Sequence, residues 1–390
     1  MLSGPTRDGA GRPRLGIIVN PVAGIGGAVA LKGSDGAETV ALARARGAVP
    51  QAPMRAARAL RGLAASAGTI EVLAAPGVMG ADLARVAGLA VTTTGPVAER
   101  PTTAEDTRTA AAAMRESGVE LLLFAGGDGT ARDVYEVVGG ELAMLGIPAG
   151  VKMHSGVFAP SPEAAAHAGE TFLRLGASAC LRNADIADVD EQAARDGRVA
   201  SVLYGAARVP DLPRLVLPTK AGSRASPGAD LDALCRTVAA ELEPGTLYLL
   251  GPGTTTAAVL AALGLSGTLL GVDAIRNGRL VDVDLTEEQL QTLLDHDASG
   301  DRGSSVRLIV GLVGGQGVLF GRGNPQLGPG VLRRIGRDRI MILSAADKLV
   351  ALDPPNLWVD TGDPELDAEF AGYVRVHVGR RKQIVIRVSR

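Results

Sequence analysis

Residues 126–130, Gly-Gly-Asp-Gly-Thr, place one carboxylate, Asp128, in a run of residues that carry almost no side chain. A turn of this composition exposes backbone N–H groups, and glycine lets a phosphate reach them with no Cβ in the way. A carboxylate repels phosphate unless it handles a proton or a metal-bound nucleotide. Its presence here points to phosphoryl transfer rather than passive phosphate binding. The free N–H groups around Asp128 predict a carboxylate that stays ionised at neutral pH. Asp128 is the candidate catalytic residue, as general base or as metal contact, and Gly126, Gly127, Gly129 and Thr130 are its candidate phosphate cradle.

Such a turn needs a strand to deliver it and a helix to leave it. Leu121 to Ala125 is a continuous apolar run, the pattern of a strand buried on both faces of a parallel sheet, and Asp133 to Val138 reads as the start of a helix. Together they aim a helix N-terminus at an anion. Upstream, Leu15 to Val19 is a strand broken by Asn20-Pro21, with Lys32 and Asp35 in the loop beyond. A helix over 52–67, a strand over Ile70–Ala74 and a Val91-centred strand follow. Thr102 and Glu105 give an N-cap signature for a helix running to Ser117 and stopped by Gly118. Alternation of this kind predicts an open, mostly parallel α/β sheet over residues 14–150, with ligands at the carboxyl ends of its strands. Asn20 and Pro21 sit at one such end and Gly126 at another, so Asn20 and Pro21 join the nucleotide-binding candidates.

With these residues in view, the sequence resembles the NAD kinases and their relatives, the diacylglycerol, sphingosine and 6-phosphofructo kinases. The GGDGT string after a buried strand carries the resemblance. Arg14-Leu-Gly-Ile-Ile-Val-Asn-Pro-Val-Ala-Gly-Ile-Gly-Gly is similar to the superfamily's opening strand and Asn-Pro turn. Leu145-Gly-Ile-Pro-Ala-Gly-Val-Lys-Met-His-Ser-Gly is similar to the strand and loop after its GGDGT. Gly251-Pro-Gly-Thr-Thr-Thr and Gly314-Gly-Gln-Gly-Val-Leu-Phe-Gly-Arg-Gly resemble one branch, the ATP-NAD kinase-like proteins that include the AcoX group of acetoin gene clusters. The resemblance implies an NAD kinase-like fold and transfer from ATP, or polyphosphate, to NAD. ATP and the Mg2+ carried with it are then the expected cofactors. Family members hold the dinucleotide with an Asn-Glu pair. Here Asn183 and Asp185, split by Ala184, stand near that place as acceptor-binding candidates. The departure keeps a second acceptor class open: a polyol, a sugar or a nucleoside. A nucleotide-binding regulator without turnover is the reading from another class.

Beyond residue 150 the texture changes. Lys152 is a candidate phosphate contact and His154 a candidate proton carrier. Leu181–Val189 and Val199–Val209 read as a hairpin turning at Asp196-Gly197, and Ala221–Gly228 as a linker. A second strand–glycine turn–helix begins at Thr246, making Gly251, Gly253, Thr254 and Thr255 acceptor-binding candidates. Asp273, expected near the end of a strand over Leu269–Ile275, joins them, as do Gly315 and Gln316. The alternating segments Tyr373–Val378 and Ile384–Val388 predict a terminal hairpin. The expected layout is a disordered tail at 1–13 and an α/β nucleotide-binding domain at 14–150. A β-rich domain combines 151–227 with 365–390, and an α/β lobe at 228–364 is inserted in it.

Net charge is only −2, which offers no field to recruit nucleic acid or an acidic membrane. Two cysteines, Cys180 and Cys235, are too few for a disulfide framework and fit a reducing cytoplasm. The four histidines, at 154, 167, 296 and 377, are scattered, so no dedicated metal site is expected and a divalent ion would come with ATP. The expected partners are small-molecule substrates, with no nucleic acid and no membrane and with homo-oligomerisation left open.

Overall fold

The computed structural model describes residues 2–3, 11–31, 37–66, 68–97, 102–150, 153–189, 201–212, 215–217, 229–298, 305–312, 316–352 and 355–390. Lys32, Asp35, Lys152, Gly314, Gly315, the Asp196-Gly197 turn and the 221–228 linker lie outside the described residues. The chain divides into two compact units, Met1–Ile25 with Gly33–Lys220 and Gly26–Lys32 with Ala221–Arg390.

The strands of the first unit are β1 (Leu2–Ser3), β2 (Arg14–Val19), β3 (Glu71–Ala74), β4 (Val91–Thr93), β5 (Leu121–Gly126), β6 (Ala143–Pro148), β7 (Cys180–Val189) and β8 (Ser201–Pro210). Among the described residues, β2 to β6 form a five-stranded parallel sheet in the order β4-β3-β2-β5-β6. Helices α1 (Ala37–Ala45), α2 (Ala52–Leu63), α3 (Ala81–Val86), α4 (Ala104–Glu116), α5 (Asp128–Val138) and α6 (Pro162–Leu175) accompany it. Every residue of β5 and β6 is buried, as their unbroken apolar runs require. The cap of α4 is a capping box of Thr103 with Asp106, one residue beyond the expected Thr102–Glu105 pair. The spacing is the same in both registers, so sequence alone does not choose between them.

Strand order fixes where a ligand can bind. From β2 the chain moves outward through β3 and β4, then returns to lay β5 on the other side of β2. The order reverses between β2 and β5, and at such a switch point the helices leave to opposite sides and open a crevice at the strand ends. Asn20 follows β2 and the glycine turn follows β5, so the topology delivers both to that crevice.

The other sheet of this unit is antiparallel, in the order β1-β7-β8, with a register shift between Ile186 and Ala187. Leu2 and Ser3, expected in a disordered tail, pair with Leu181 and Cys180.

The second unit is built on a nine-stranded mixed sheet, ordered β11-β10-β9-β12-β14-β16-β17-β15-β13 among the described residues. Its strands are β9 (Leu247–Leu250), β10 (Asp273–Arg276), β11 (Arg279–Asp282), β12 (Val306–Gly311), β13 (Val318–Phe320), β14 (Ile340–Leu343), β15 (Asn356–Val359), β16 (Gly372–Gly379) and β17 (Lys382–Ser389). Its helices are α7 (Ala229–Ala240), α8 (Thr254–Ala262), α9 (Glu287–Ala298), α10 (Pro329–Ile335), α11 (Ala346–Val350) and α12 (Pro364–Phe370).

The terminal hairpin forms, but it does not join the ribbon at 181–209 as expected. β16 pairs with β14 (Ile342 with Val376) and β17 with β15 (Leu357 with Val388), so 365–390 belongs to the second unit and 228–364 is not an insertion in a β-rich domain. The reason is packing. Val376, Val378, Ile386 and Val388 line one face of the hairpin and close the core around Ile342, Phe320 and Phe370. Alternation reveals that such a face exists but leaves its partner unspecified.

Candidate active site

Helix α5 begins at Asp128, five residues earlier than expected, so Asp128, Gly129 and Thr130 form its first turn rather than a loop ahead of it. Close packing accounts for this. A Cβ on Gly126 would lie 2.4 Å from the Thr130 side chain, and one on Gly127 would lie 3.1 Å from the Cα of Gly150. The glycines thus let protein approach protein, and the backbone turns into the helix with no room to spare.

Thr130 is buried, and its Oγ1 accepts a 2.9 Å hydrogen bond from Nδ2 of Asn20. The Asn20 Oδ1 accepts from the Val22 N–H at 3.2 Å, and its own N–H donates to the carbonyl of Ala125 at 3.0 Å. The two turns at the switch point are therefore stitched together, and Pro21 follows directly, half-buried.

The Asp128 carboxylate is only 3% exposed. It meets the loop after β6, where Oδ2 accepts from the His154 N–H at 2.5 Å and Oδ1 from the Ser155 N–H at 3.0 Å. Burial pushes its pKa up to about 7, although the hydrogen bonds from Ser155 and His154 pull it down; the charge of Asp188 adds to the rise. The expectation of a fully ionised group is thus corrected. Loss of water outweighs the N–H donors, and the group is poised between its two forms at neutral pH. His154 is buried beside it and contributes its backbone.

Asn183 and Asp185 lie on the exposed face of β7, opposite the inward-facing Ala184 and Ile186. The structure does not bring them to the Asp128 carboxylate; Asp188 is the β7 acid whose charge acts there. Asp188 is half-buried and 3.5 Å from Nη1 of Arg132, which lies one turn beyond Asp128 on α5. Sequence reasoning passed over Asp188, Arg132 and Ser155. The legible signal was alternation itself: two residues beyond Ile186, Asp188 is an acid on the strand's apolar face.

In the second unit, Gly251 is buried at the end of β9, Gly253 precedes α8, and Thr254 and Thr255 open that helix. Gly253 has φ +133°, and its N–H donates to Leu269 O at 2.9 Å. Thr254 is half-buried and Thr255 buried. Asp273 is not an open ligand group. It starts β10 instead of ending a strand, and β10 runs antiparallel to β9. Its two oxygens accept from the Thr268 N–H and hydroxyl, both at 2.7 Å, and from the Asp284 N–H at 3.0 Å. Gln316 is buried next to β13.

Among the described residues no cluster of three or more His, Cys, Asp or Glu side chains could hold a metal ion, and no helix is long and apolar enough to cross a membrane.

No curated protein matches the sequence. Two solved structures show weak likeness. One, from Listeria monocytogenes, carries a provisional assignment as a UDP-N-acetylglucosamine 2-epimerase; it is 10% identical, with a TM-score of 0.24 over 90% of this chain and 75% of that one. The other is the glycosyltransferase SnogD from Streptomyces nogalater, 13% identical, with a TM-score of 0.20 over 90% and 82%. Neither likeness carries an argument. Family models are informative. Residues 15–177 match the ATP-NAD kinase N-terminal domain, and residues 244–388 match the ATP-NAD kinase C-terminal domain. The first match contains the whole switch-point crevice and the second the nine-stranded sheet. Two consecutive domains of one enzyme, with Asp128 at the topological switch point of the first, establish that the chain belongs to the ATP-NAD kinase-like family, phosphotransferases that move a phosphoryl group from ATP to a hydroxyl of NAD.

Proposed function

We propose that Asp128 is the general base of this transfer. The observation that carries the reading is a buried carboxylate, held in place by two backbone N–H groups, with its pKa brought to about 7. A base works best when its pKa lies near the operating pH, because it is then free to accept a proton and still strong enough to take one. The acceptor hydroxyl on the adenosine ribose of NAD gives its proton to an oxygen of Asp128 as its own oxygen bonds to the γ-phosphorus. The bond from that phosphorus to the β,γ-bridging oxygen breaks, and ADP leaves with the electron pair.

Asn20, Pro21, Gly126, Gly127, Gly129 and Thr130 position the phosphates at the N-terminus of α5, whose dipole favours negative charge. Lys152 would add a cation. Asn183 and Asp185, with Gly251, Gly253, Thr254, Thr255, Gly315 and Gln316, remain acceptor-side candidates; Asp273 is better read as a structural latch. Mg2+ would neutralise charge on the ATP phosphates. Asp128 fits less well as a ligand for it, because burial favours its neutral form and a metal ligand must be ionised. The AcoX-like branch is the proposed placement within the family.

Incubation with γ-labelled ATP and NAD, alongside a polyol, a sugar and a nucleoside, tests the acceptor. Label is expected in NADP. Label appearing only in another acceptor would replace NAD, and no transfer to any acceptor would favour a non-catalytic regulator.

A further inference from the structure

The β7–β8 ribbon, residues 180–189 with 201–210, falls between the segments matched by the two family models and packs on α5. Three of its contacts converge on the catalytic helix and are not used by the mechanism above.

The first runs through Ser155, which is fully buried. Its N–H holds Asp128, while its hydroxyl donates to Ala187 O at 2.8 Å and accepts from the Ala187 N–H at 3.1 Å. One residue thus ties the carboxylate to the strand at its register shift, next to Asp188. The second is the Arg132–Asp188 pair at 3.5 Å. The third is the stacking of the Arg132 guanidinium over the Tyr204 ring on β8, 5.2 Å from its centroid. Arg132 is therefore gripped by both strands of the ribbon, and at four residues from Asp128 it stands on the same side of α5.

We propose that Asp188 and Arg132 form an electrostatic pair that adjusts when Asp128 can take a proton, and that Ser155 is the link holding the pair in register with it. This rests on the reading of Asp128 as the base. Asp188 opposes ionisation of Asp128 by like charge, and Arg132 offsets that opposition by neutralising Asp188. The other charged and titratable groups on the elements around Asp128 are Glu105, Asp106, Arg108, Arg115 and Glu116 on α4, Asp133, Tyr135 and Glu136 on α5, His154 on the loop after β6, Cys180, Arg182 and Asp185 on β7, and Tyr204 and Arg208 on β8. Arg108 and Asp133 are already paired with each other at 2.8 Å, and Asp185 is turned to the exposed face. Asp188 is thus the charged neighbour best placed to act, and the pair makes Asp188 and Arg132 positioning residues.

The two halves of the pair should act in opposite directions. In the full-length protein, the carboxyl of Asp128 can be followed by carbon-13 NMR across pH, its signal assigned by its loss in Asp128→Asn. Asp188→Asn should move the titration midpoint to lower pH by about 0.5–1 unit, Arg132→Gln should move it to higher pH by a similar amount, and Asp188→Glu should restore it. The acid limb of kcat/KM should follow each shift. Both Asp188 and Arg132 are partly exposed, so these variants can be checked for folding by thermal melting before titration. Midpoints that stay put, or move the same way in both variants, would overturn the proposal, as would a fall in kcat with no movement of either profile. NMR midpoints that move while the kinetic limb stays fixed would support the pair and reject Asp128 as the base.

Discussion

Two turns in this chain follow the same local plan: a buried strand, a glycine turn, and a helix opened by small polar residues. After β5 the plan yields Gly126, Gly127 and Asp128; after β9 it yields Gly251, Gly253 and Thr254. Their glycines do different work. Gly126 is needed because Thr130 occupies the space a side chain would take, 2.4 Å from an added Cβ. At Gly253 an added Cβ would meet nothing within 4 Å, yet φ is +133°, a conformation that L side chains rarely adopt. The first turn is limited by volume and the second by backbone shape. Their carboxylates differ as well. Asp128 is held by two N–H groups and keeps a pKa of about 7, whereas Asp273, in the second unit, is saturated by Thr268 and Asp284. A shared sequence pattern therefore identifies a shape, and the side chain at its helix start decides whether that shape carries chemistry.

The sharpest way to break this comparison is Asp128→Asn. It should lower kcat by about 10²–10⁴-fold, the usual contribution of a general base, while calorimetry shows ATP still bound. Near wild-type turnover from the folded variant would reduce Asp128 to a helix-start residue and erase its difference from Thr254.

The pH profile comes next. With the free enzyme's base at about 7, kcat/KM should fall roughly tenfold for each unit below that point, so activity at pH 5 should be about a hundredth of that at pH 8. The sign follows from the protonated carboxylate being unable to accept a proton. A flat profile between pH 5 and 8 would exclude the assignment.

Gly126→Ala tests the volume limit. The added methyl must displace Thr130, and with it the bond to Asn20, so kcat/KM should drop by about 10–10²-fold from misplacement at the switch point. Unchanged kinetics would show that the close packing is tolerant.

Gly253→Ala tests the other limit and should have the smallest kinetic effect. It should cost about 1–3 kcal/mol of stability through backbone strain, read as a lowered denaturation midpoint, with kcat unchanged. A rise in the acceptor's KM beyond that of ATP would support the turn's acceptor-side role, and unmoved constants would leave it structural.

The site and the fold were legible in the sequence to different degrees. The five-residue string, the buried strand before it and the Asn20 turn stand out because each leaves a local mark: glycine, an unbroken apolar run, an Asn-Pro break. The helix start at Asp128 was obscured by Gly129, a poor helix former. Ser155 and Asp188 left weaker marks, since their roles arise from the crossing of a loop and a ribbon distant in sequence. The terminal hairpin was readable as a hairpin and misplaced as a partner, because an alternating strand shows which face is buried and nothing about what buries it. Asp273 does stand beside Leu250 at the carboxyl end of β9, and what removes it as a ligand group is that its oxygens accept from Thr268 and Asp284, contacts that leave no mark in the sequence.

The contact between Gly127 and Gly150 has a consequence for reading other chains. A Cβ on Gly150 would sit 2.8 Å from the Cα of Gly127, and one on Gly127 would sit 3.1 Å from the Cα of Gly150. Neither position can gain a side chain unless the other segment retreats, and the segment that would retreat leads to the N–H groups of His154 and Ser155 that hold Asp128. The signature of this site is therefore bipartite. A sequence with Gly-Gly-Asp-Gly-Thr but a bulky residue at the place of Gly150 would keep the motif and lose the grip on its carboxylate, and a search for working kinases of this design should require both halves.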